Sequence, residues 1–355
     1  MRNRHLGICS YNLEIIIEPA PVSTGSGLDT FKPMNSGTSR PLKVYKTYAQ
    51  QIDLLCERGL IINDPDFATK WLQEAGYYRL SLYMFHFRVT DEDGNKLNKF
   101  QDNTTFDEIV SLYVFDRGLR TRVFSGIEKI EVSLRARMGY LLGEYDPDVH
   151  MMPWYFRSTR KHTQLVKTFK LRIDRAIAGN DEVALHHEAQ YGGRLPFWVL
   201  TDLLDFSDLS KMYEQLHSKD QRKLAREFEL NDPPRKRKQR QSNLSGWLHQ
   251  LSLVRNFTAH HSRLWDRKFG AKDISDAQGV RGFFQDFANP GQSKDMYGVL
   301  TIMAFLLESI EGNTEWARGM GQYLDRSFSE MPSKSPADMG FPQGWKTLQP
   351  WIHEK

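Results

Sequence analysis

The chain has 355 residues, 40% of them hydrophobic and 12% aromatic, and a formal net charge of +4. That length can bury one large or two modest cores, and so small a net charge does not by itself announce a nucleic-acid binder. Two cysteines, Cys9 and Cys56, exclude a disulfide framework and a Cys-rich zinc module and fit a reducing compartment. No apolar run approaches the roughly 20 residues of a membrane span, and LEIIIEPA near the start lacks the form of a signal peptide. A cytoplasmic protein is expected.

Residues 1–40 are rich in Pro, Ser, Thr and Gly and read as a disordered leader, with Met34 as an alternative start. From Tyr45 the pattern turns helical. Ile52, Leu54, Leu55 and Leu60 lie at helical spacing, with Gly59 as the stop. Asp64-Pro65 forms an N-cap and first turn, and Phe67, Ala68, Trp71, Leu72 and Ala75 make one stripe ending at Gly76. Tyr77, Tyr78 and Arg79 follow. They can stack on a base and hold a phosphate, or pack the small N-terminal unit against the rest.

Asp93-Gly94 marks a tight turn. Thr105 with Glu108 is a capping box that opens the longest amphipathic run of the chain, Leu112, Phe115, Leu119, Val123, Ile127, Ile130 and Leu134. Glu131 and Arg135, one turn apart on it, are either an ordinary surface pair or a polar group offered to a site. A Pro-broken loop and a basic helix around TRKHTQLVKTFKLRIDRAI come next. His186-His187 has no partner at the H-E-x-x-H type of spacing, so no metal site is expected there or elsewhere, and no cofactor. The run Arg235, Lys236, Arg237, Lys238 and Arg240 follows Pro233-Pro234. It can hold an RNA backbone by counterion release without reading sequence.

The stretch from Leu244 to Phe269 reads as one helix. It concentrates Arg255, Asn256, His260, His261, Arg263 and Arg267, a titratable imidazole beside guanidinium groups that can grip a phosphodiester. At about 100° per residue, Asn256 lies about 40° and Arg263 about 60° from His260, whereas Arg255 is about 140° away. A Gly/Asp/Asn/Pro-rich connector leads to a last strong helix, DMYGVLTIMAFLLESI. The tail 327–355 reads as loop, with Trp345 and Trp351 to pin it.

Arg255 and His260 form Arg-x4-His, within the longer block RNFTAHHSRLW. This wording resembles the signature of the HEPN superfamily, and more specifically the bacterial Abi-like family of abortive phage-infection proteins. Three further blocks carry the same resemblance. Gly59-Leu60, Asp64 and Gly76-Tyr77-Tyr78-Arg79-Leu80-Ser81 fit an N-terminal pattern, with Leu82 where that pattern has Gly. Phe115-Asp116-Arg117, Leu119-Arg120, Ile130-Glu131 and Arg135 fit a second, and Leu195-Pro196-Phe197-Trp198 a third. The resemblance implies an all-α protein, a HEPN-like antiparallel helical bundle over 101–326 with a small helical N-terminal unit over 41–100. It implies a homodimer whose sites draw on both chains, which would remove the angular difficulty at Arg255.

It also implies a metal-independent endoribonuclease. His260 would act as base or acid, Arg255 would stabilise charge on the phosphoryl oxygens, and Asn256 would orient one of them. The 2′-OH of RNA would attack the adjacent phosphorus to leave a 2′,3′-cyclic phosphate. Glu131, Arg135, His261 and Arg263 would support this centre. Three alternatives remain: a non-catalytic module binding a small noncoding RNA, a DNA-binding regulator, which no recognition-helix pattern supports, and a buried polar network at Arg255, Asn256 and His260 that only joins helices.

Overall fold

A computed structural model describes residues 44–230, 243–274, 277, 280–287 and 290–352. The leader, Met34 and the basic run Arg235–Arg240 lie outside the described residues. Lys46–Lys355 forms one compact unit. Its described residues hold twelve α-helices and one two-stranded hairpin, so the fold is essentially all-α.

The first elements are set by local chemistry. Helix α1 (Tyr48–Glu57) starts at a Thr47–Gln50 capping box and stops before Gly59, whose φ is +87°. Helix α2 (Pro65–Glu74) is capped by the Asp64 carboxylate, which accepts from the Asp66 and Phe67 amides. Gly76, with φ +80°, turns the chain into α3 (Tyr77–Met84). Strands β1 (Arg88–Thr90) and β2 (Lys96–Phe100) pair antiparallel around the Asp93-Gly94 turn, where Gly94 has the positive φ that such a turn needs.

Helix α4 (Phe106–Gly143) is the spine. The Thr105–Glu108 capping box opens it, and its 38 residues make it about 57 Å long at 1.5 Å per residue. Every residue of the expected stripe from Leu112 to Leu134 is buried. A helix this long meets many partners. Helix α3 lies against it, as do α7 (Phe197–Leu203), α9 (Ser218–Glu227), α10 (Asn243–Ala259) and α11 (Met296–Glu311). Helices α5 (Thr159–Ala178), α6 (Glu182–Tyr191) and α8 (Phe206–Gln215) complete the middle of the chain. Close approach of α7 needs Gly139, because a Cβ there would sit 3.1 Å from the Trp198 backbone.

Two elements depart from the expectation. The stretch from Leu244 to Phe269 is not one helix: α10 ends at Ala259, for reasons that belong to the site below. Beyond α11, whose residues 296–307 are all buried, the chain forms a further helix, α12 (Glu315–Ser329), that the sequence reading did not single out. The tail is pinned as expected. Trp345 and Trp351 are buried against Phe341, and Trp351 also meets Tyr297 of α11.

The first turn of α11 approaches its preceding segment closely. A Cβ on Gly298 would lie 2.4 Å from the Ser293 Cα and 2.6 Å from its carbonyl oxygen. Because those atoms are backbone, Gly298→Ala is expected to cost about 1–3 kcal/mol through overpacking. Urea unfolding checks this, and an unchanged midpoint would contradict the contact.

Candidate functional site

The site is built around one buried carboxylate. Asp116, on the buried face of α4, is wholly shielded from solvent and accepts from four groups. The Tyr83 hydroxyl of α3 donates at 2.6 Å, and Arg120 donates from one turn along α4. The backbone amides of Leu264 (3.1 Å) and Trp265 (2.8 Å) donate from the chain that follows α10. Burial pushes the Asp116 carboxyl up, against the opposing pull of the Arg120 charge, the Tyr83 hydroxyl and the two amides. Burial and the Asp116 charge push the Tyr83 phenol well above its usual range. Three sequence blocks far apart in the chain therefore meet at one side chain.

That anchor explains how α10 ends. The His261 amide donates to the Thr258 carbonyl (3.1 Å) and the Ser262 amide to the Phe257 carbonyl (2.9 Å), with His261 at φ +55°. This is a Schellman stop, made with a histidine in the left-handed position that Gly usually fills. The Arg79 guanidinium then donates to the His261 carbonyl at 2.6 Å, placing a cation at the negative end of α10. Arg263 is consequently not on the helical face expected for it. Its guanidinium donates to the Leu82 carbonyl and its Nε lies 2.8 Å from Asp266 Oδ1. The other Asp266 oxygen is 3.0 Å from His86 Nε2, and the His86 ring meets the buried Trp265 edge-on.

On the last turns of α10, Asn256 and His260 are exposed and one turn apart, joined through the helical bond from the His260 amide to the Asn256 carbonyl (2.9 Å). Arg255 lies round the helix and is about one-third exposed, with its Nε 4.0 Å from Glu131 Oε2 on α4. Glu131 is 7% exposed and also accepts from Arg135. Burial pushes its carboxyl up, partly offset by the Arg135 and Arg255 charges. Arg135 reaches on to the Thr201 (3.0 Å) and Leu204 (2.8 Å) carbonyls at the end of α7. The buried Arg255 Nε has no hydrogen-bond partner among the described residues.

The structure thus brings Glu131, Arg135 and Arg255 together, and Arg79, His261 and Arg263 into the turn. Tyr77 is half-buried and its hydroxyl accepts from Arg58 at 3.1 Å, while Tyr78 is 80% exposed. His187 on α6 donates from Nδ1 to the Val183 carbonyl (2.9 Å). The sequence reading missed the anchoring role of Asp116, Arg120 and Tyr83. A signal was present: Asp116 and Arg120 fall beside Phe115 and Leu119, on the apolar face of α4, where a charge must be paired.

An all-helical protein that presents an Arg-x4-His pair at a helix end, braced from below by carboxylates, is the class these observations define. The family model for Abi-like proteins matches residues 70–266, more than half of the chain and all of the motif blocks just described except the first residues of the N-terminal one. The chain belongs to the Abi-like family, which supports a role in abortive-infection defence. Comparison with curated proteins and with solved structures gave no match. No helix among the described residues is long and apolar enough to cross a membrane.

The turn carries its own pH signature. Burial pushes the Asp266 carboxyl up, but the His86 hydrogen bond and the Arg263 charge outweigh it and hold the carboxyl below the ordinary carboxylate range. A depressed pKa contributes stability that is complete above the unfolded value of about 3.9 and is lost as pH falls through the folded value. The difference in Tm between wild type and Asp266→Asn should therefore be largest above about pH 5 and shrink below about pH 4. Thermal unfolding across that range checks it. A difference that grows on acidification would contradict the assignment.

Proposed function

We propose that this chain is a metal-independent endoribonuclease of the HEPN kind, acting on RNA in abortive-infection defence. The observation that carries the reading is the pairing of exposed Asn256 and His260 at the end of α10 with an Arg255 steadied by buried Glu131. An imidazole nitrogen can accept or donate a proton, so His260 removes the 2′-OH proton or protonates the leaving 5′ oxygen. The attacking oxygen forms a bond to phosphorus as the P–O5′ bond breaks, and the product is a 2′,3′-cyclic phosphate with a free 5′-OH. Arg255 offsets the charge gathering on the phosphoryl oxygens, and Asn256 orients the imidazole or the phosphate. DNA lacks the nucleophile.

Arg255 and His260 diverge on one helix by about 140°. A homodimer that apposes two α10 ends lets each scissile phosphate take its arginine and histidine from different chains. Exposed Leu253 on α10 and Val132 on α4 are apolar groups that such a contact would cover. The basic run Arg235, Lys236, Arg237, Lys238 and Arg240 precedes α10 in sequence and supplies non-specific backbone attraction.

The second reading is a non-catalytic module that binds a small noncoding RNA, favoured by the 80% exposure of Tyr78, a ready stacking surface. One experiment separates the two. Single-stranded RNA is incubated in EDTA with wild type and with His260→Ala, and product ends are identified. Cleavage to cyclic phosphates that falls at least about 100-fold in the variant supports the nuclease. RNA that is bound equally by both proteins and left intact supports the module.

A further inference from the structure

Away from this site, one face of α5, the segment before it, and the end of α6 with the segment that follows line a cleft of about 650 Å³, within the range of small-molecule sites. Val166, Phe169, Ile173 and Ile177 line it from α5 at successive helical turns, and Leu195 faces them. Part of the wall is bare backbone: Gly192 and Gly193 both have positive φ, and the space where their side chains would lie is open. A ligand can approach main chain there without meeting a Cβ.

The floor holds a polar group without a partner. His150 is 4% exposed, stacked on Phe197 and edge-on to Phe169, with ring centroids 5.9 Å away in both cases. Its Nδ1 is buried and makes no hydrogen bond. Burial keeps the ring neutral, pushing its pKa down to about 4 against the pull of Asp148. A neutral imidazole with its proton on Nε2 is an acceptor at Nδ1, and a buried acceptor left unsatisfied is destabilising until a donor reaches it. The rim is acidic on balance. Asp148, Asp174 and Glu188 face Lys170 and Arg194, and Arg194 is already bound to Asp148. Asp174 and Glu188 make no ion pair among the described residues.

We propose that this cleft binds a small arylalkylamine: an aromatic body against α5, a ring N–H donated to His150 Nδ1, and an ammonium held by Asp174 and Glu188. Apolar walls alone would take any greasy molecule. The orphan acceptor selects one with a buried N–H, and the acidic rim selects against anions. This inference is independent of the proposed nuclease activity.

The test uses the full chain and four probes sharing one indole body, titrated by calorimetry: tryptamine, uncharged 3-methylindole, anionic indole-3-acetate and 1-methyltryptamine, which lacks the ring N–H. Tryptamine should bind saturably and about tenfold tighter than indole-3-acetate, with 3-methylindole between them. 1-Methyltryptamine should be weaker than tryptamine by about tenfold, and in His150→Phe the two should bind alike. Asp174→Asn with Glu188→Gln should erase the charge preference while 3-methylindole still binds. Ile173→Trp should fill the cleft and abolish binding of every probe, with Val166→Trp as the substitute if that variant does not fold. No saturable binding, equal or tighter binding of the anion, or binding that survives the filled cleft would overturn the proposal.

Discussion

One buried carboxylate sets the conformation on which the site depends. Asp116 collects a phenol, a guanidinium and two consecutive backbone amides from three separate parts of the chain. Removing one partner of a buried charged pair typically costs about 3–5 kcal/mol, because the groups left behind lose both water and partner. That is several times a helix cap and comparable to a large share of a domain's net stability. Within the segment after α10, Arg79, Arg263 and Asp266 also make anchoring contacts, but the consecutive Leu264 and Trp265 amides are held by Asp116 alone among side chains. The direction in which α10 hands its chain back to α3 and α4 follows from that.

The same constraint explains why two adjacent histidines serve different ends. The Schellman stop at His261 and the Arg79 contact to its carbonyl fix the end of α10. His260 stays within the last helical hydrogen bond and one turn from Asn256. Arg263, freed from the helix, locks the turn to α3 through the Leu82 carbonyl. Leu82 stands in a regular helix, so the Gly of the family pattern is not needed there for a positive φ. On the opposite side of α10, Glu131 and Arg135 connect Arg255 to the end of α7. Each guanidinium of the motif region has a distinct attachment, and Asn256 and His260 are left exposed.

Much of the fold was legible in the sequence. Local signals with a stereochemical cause held at their residues: the Asp64-Pro65 start, the Thr105 capping box, the turn at Gly94, and the stripe from Leu112 to Leu134. The end of α10 was not legible, because its left-handed residue is histidine, an uncommon choice whose strain is offset by tertiary bonds from Arg79 and Asp116 that no local pattern encodes. For the same reason Arg263 was placed on a helical face it does not occupy. The Glu131–Arg135 pair could be located on one face of α4, but its approach to Arg255 depends on how α4 and α10 pack. Helix α12 escaped because Gly319 and Gly321 lower the helical propensity of its middle. Its buried positions, Ala317, Met320, Gly321, Leu324 and Phe328, nonetheless recur at three and four.

The most direct measurement of this account is amide hydrogen exchange of Asp116→Asn against wild type, followed peptide by peptide. If Asp116 holds the turn, residues 260–267 lose protection in the variant, with the Leu264 and Trp265 amides exchanging fastest, while the C-terminal half of α4 and all of α11 keep theirs. Unchanged protection of Leu264 and Trp265 would contradict the claim that this carboxylate positions the site.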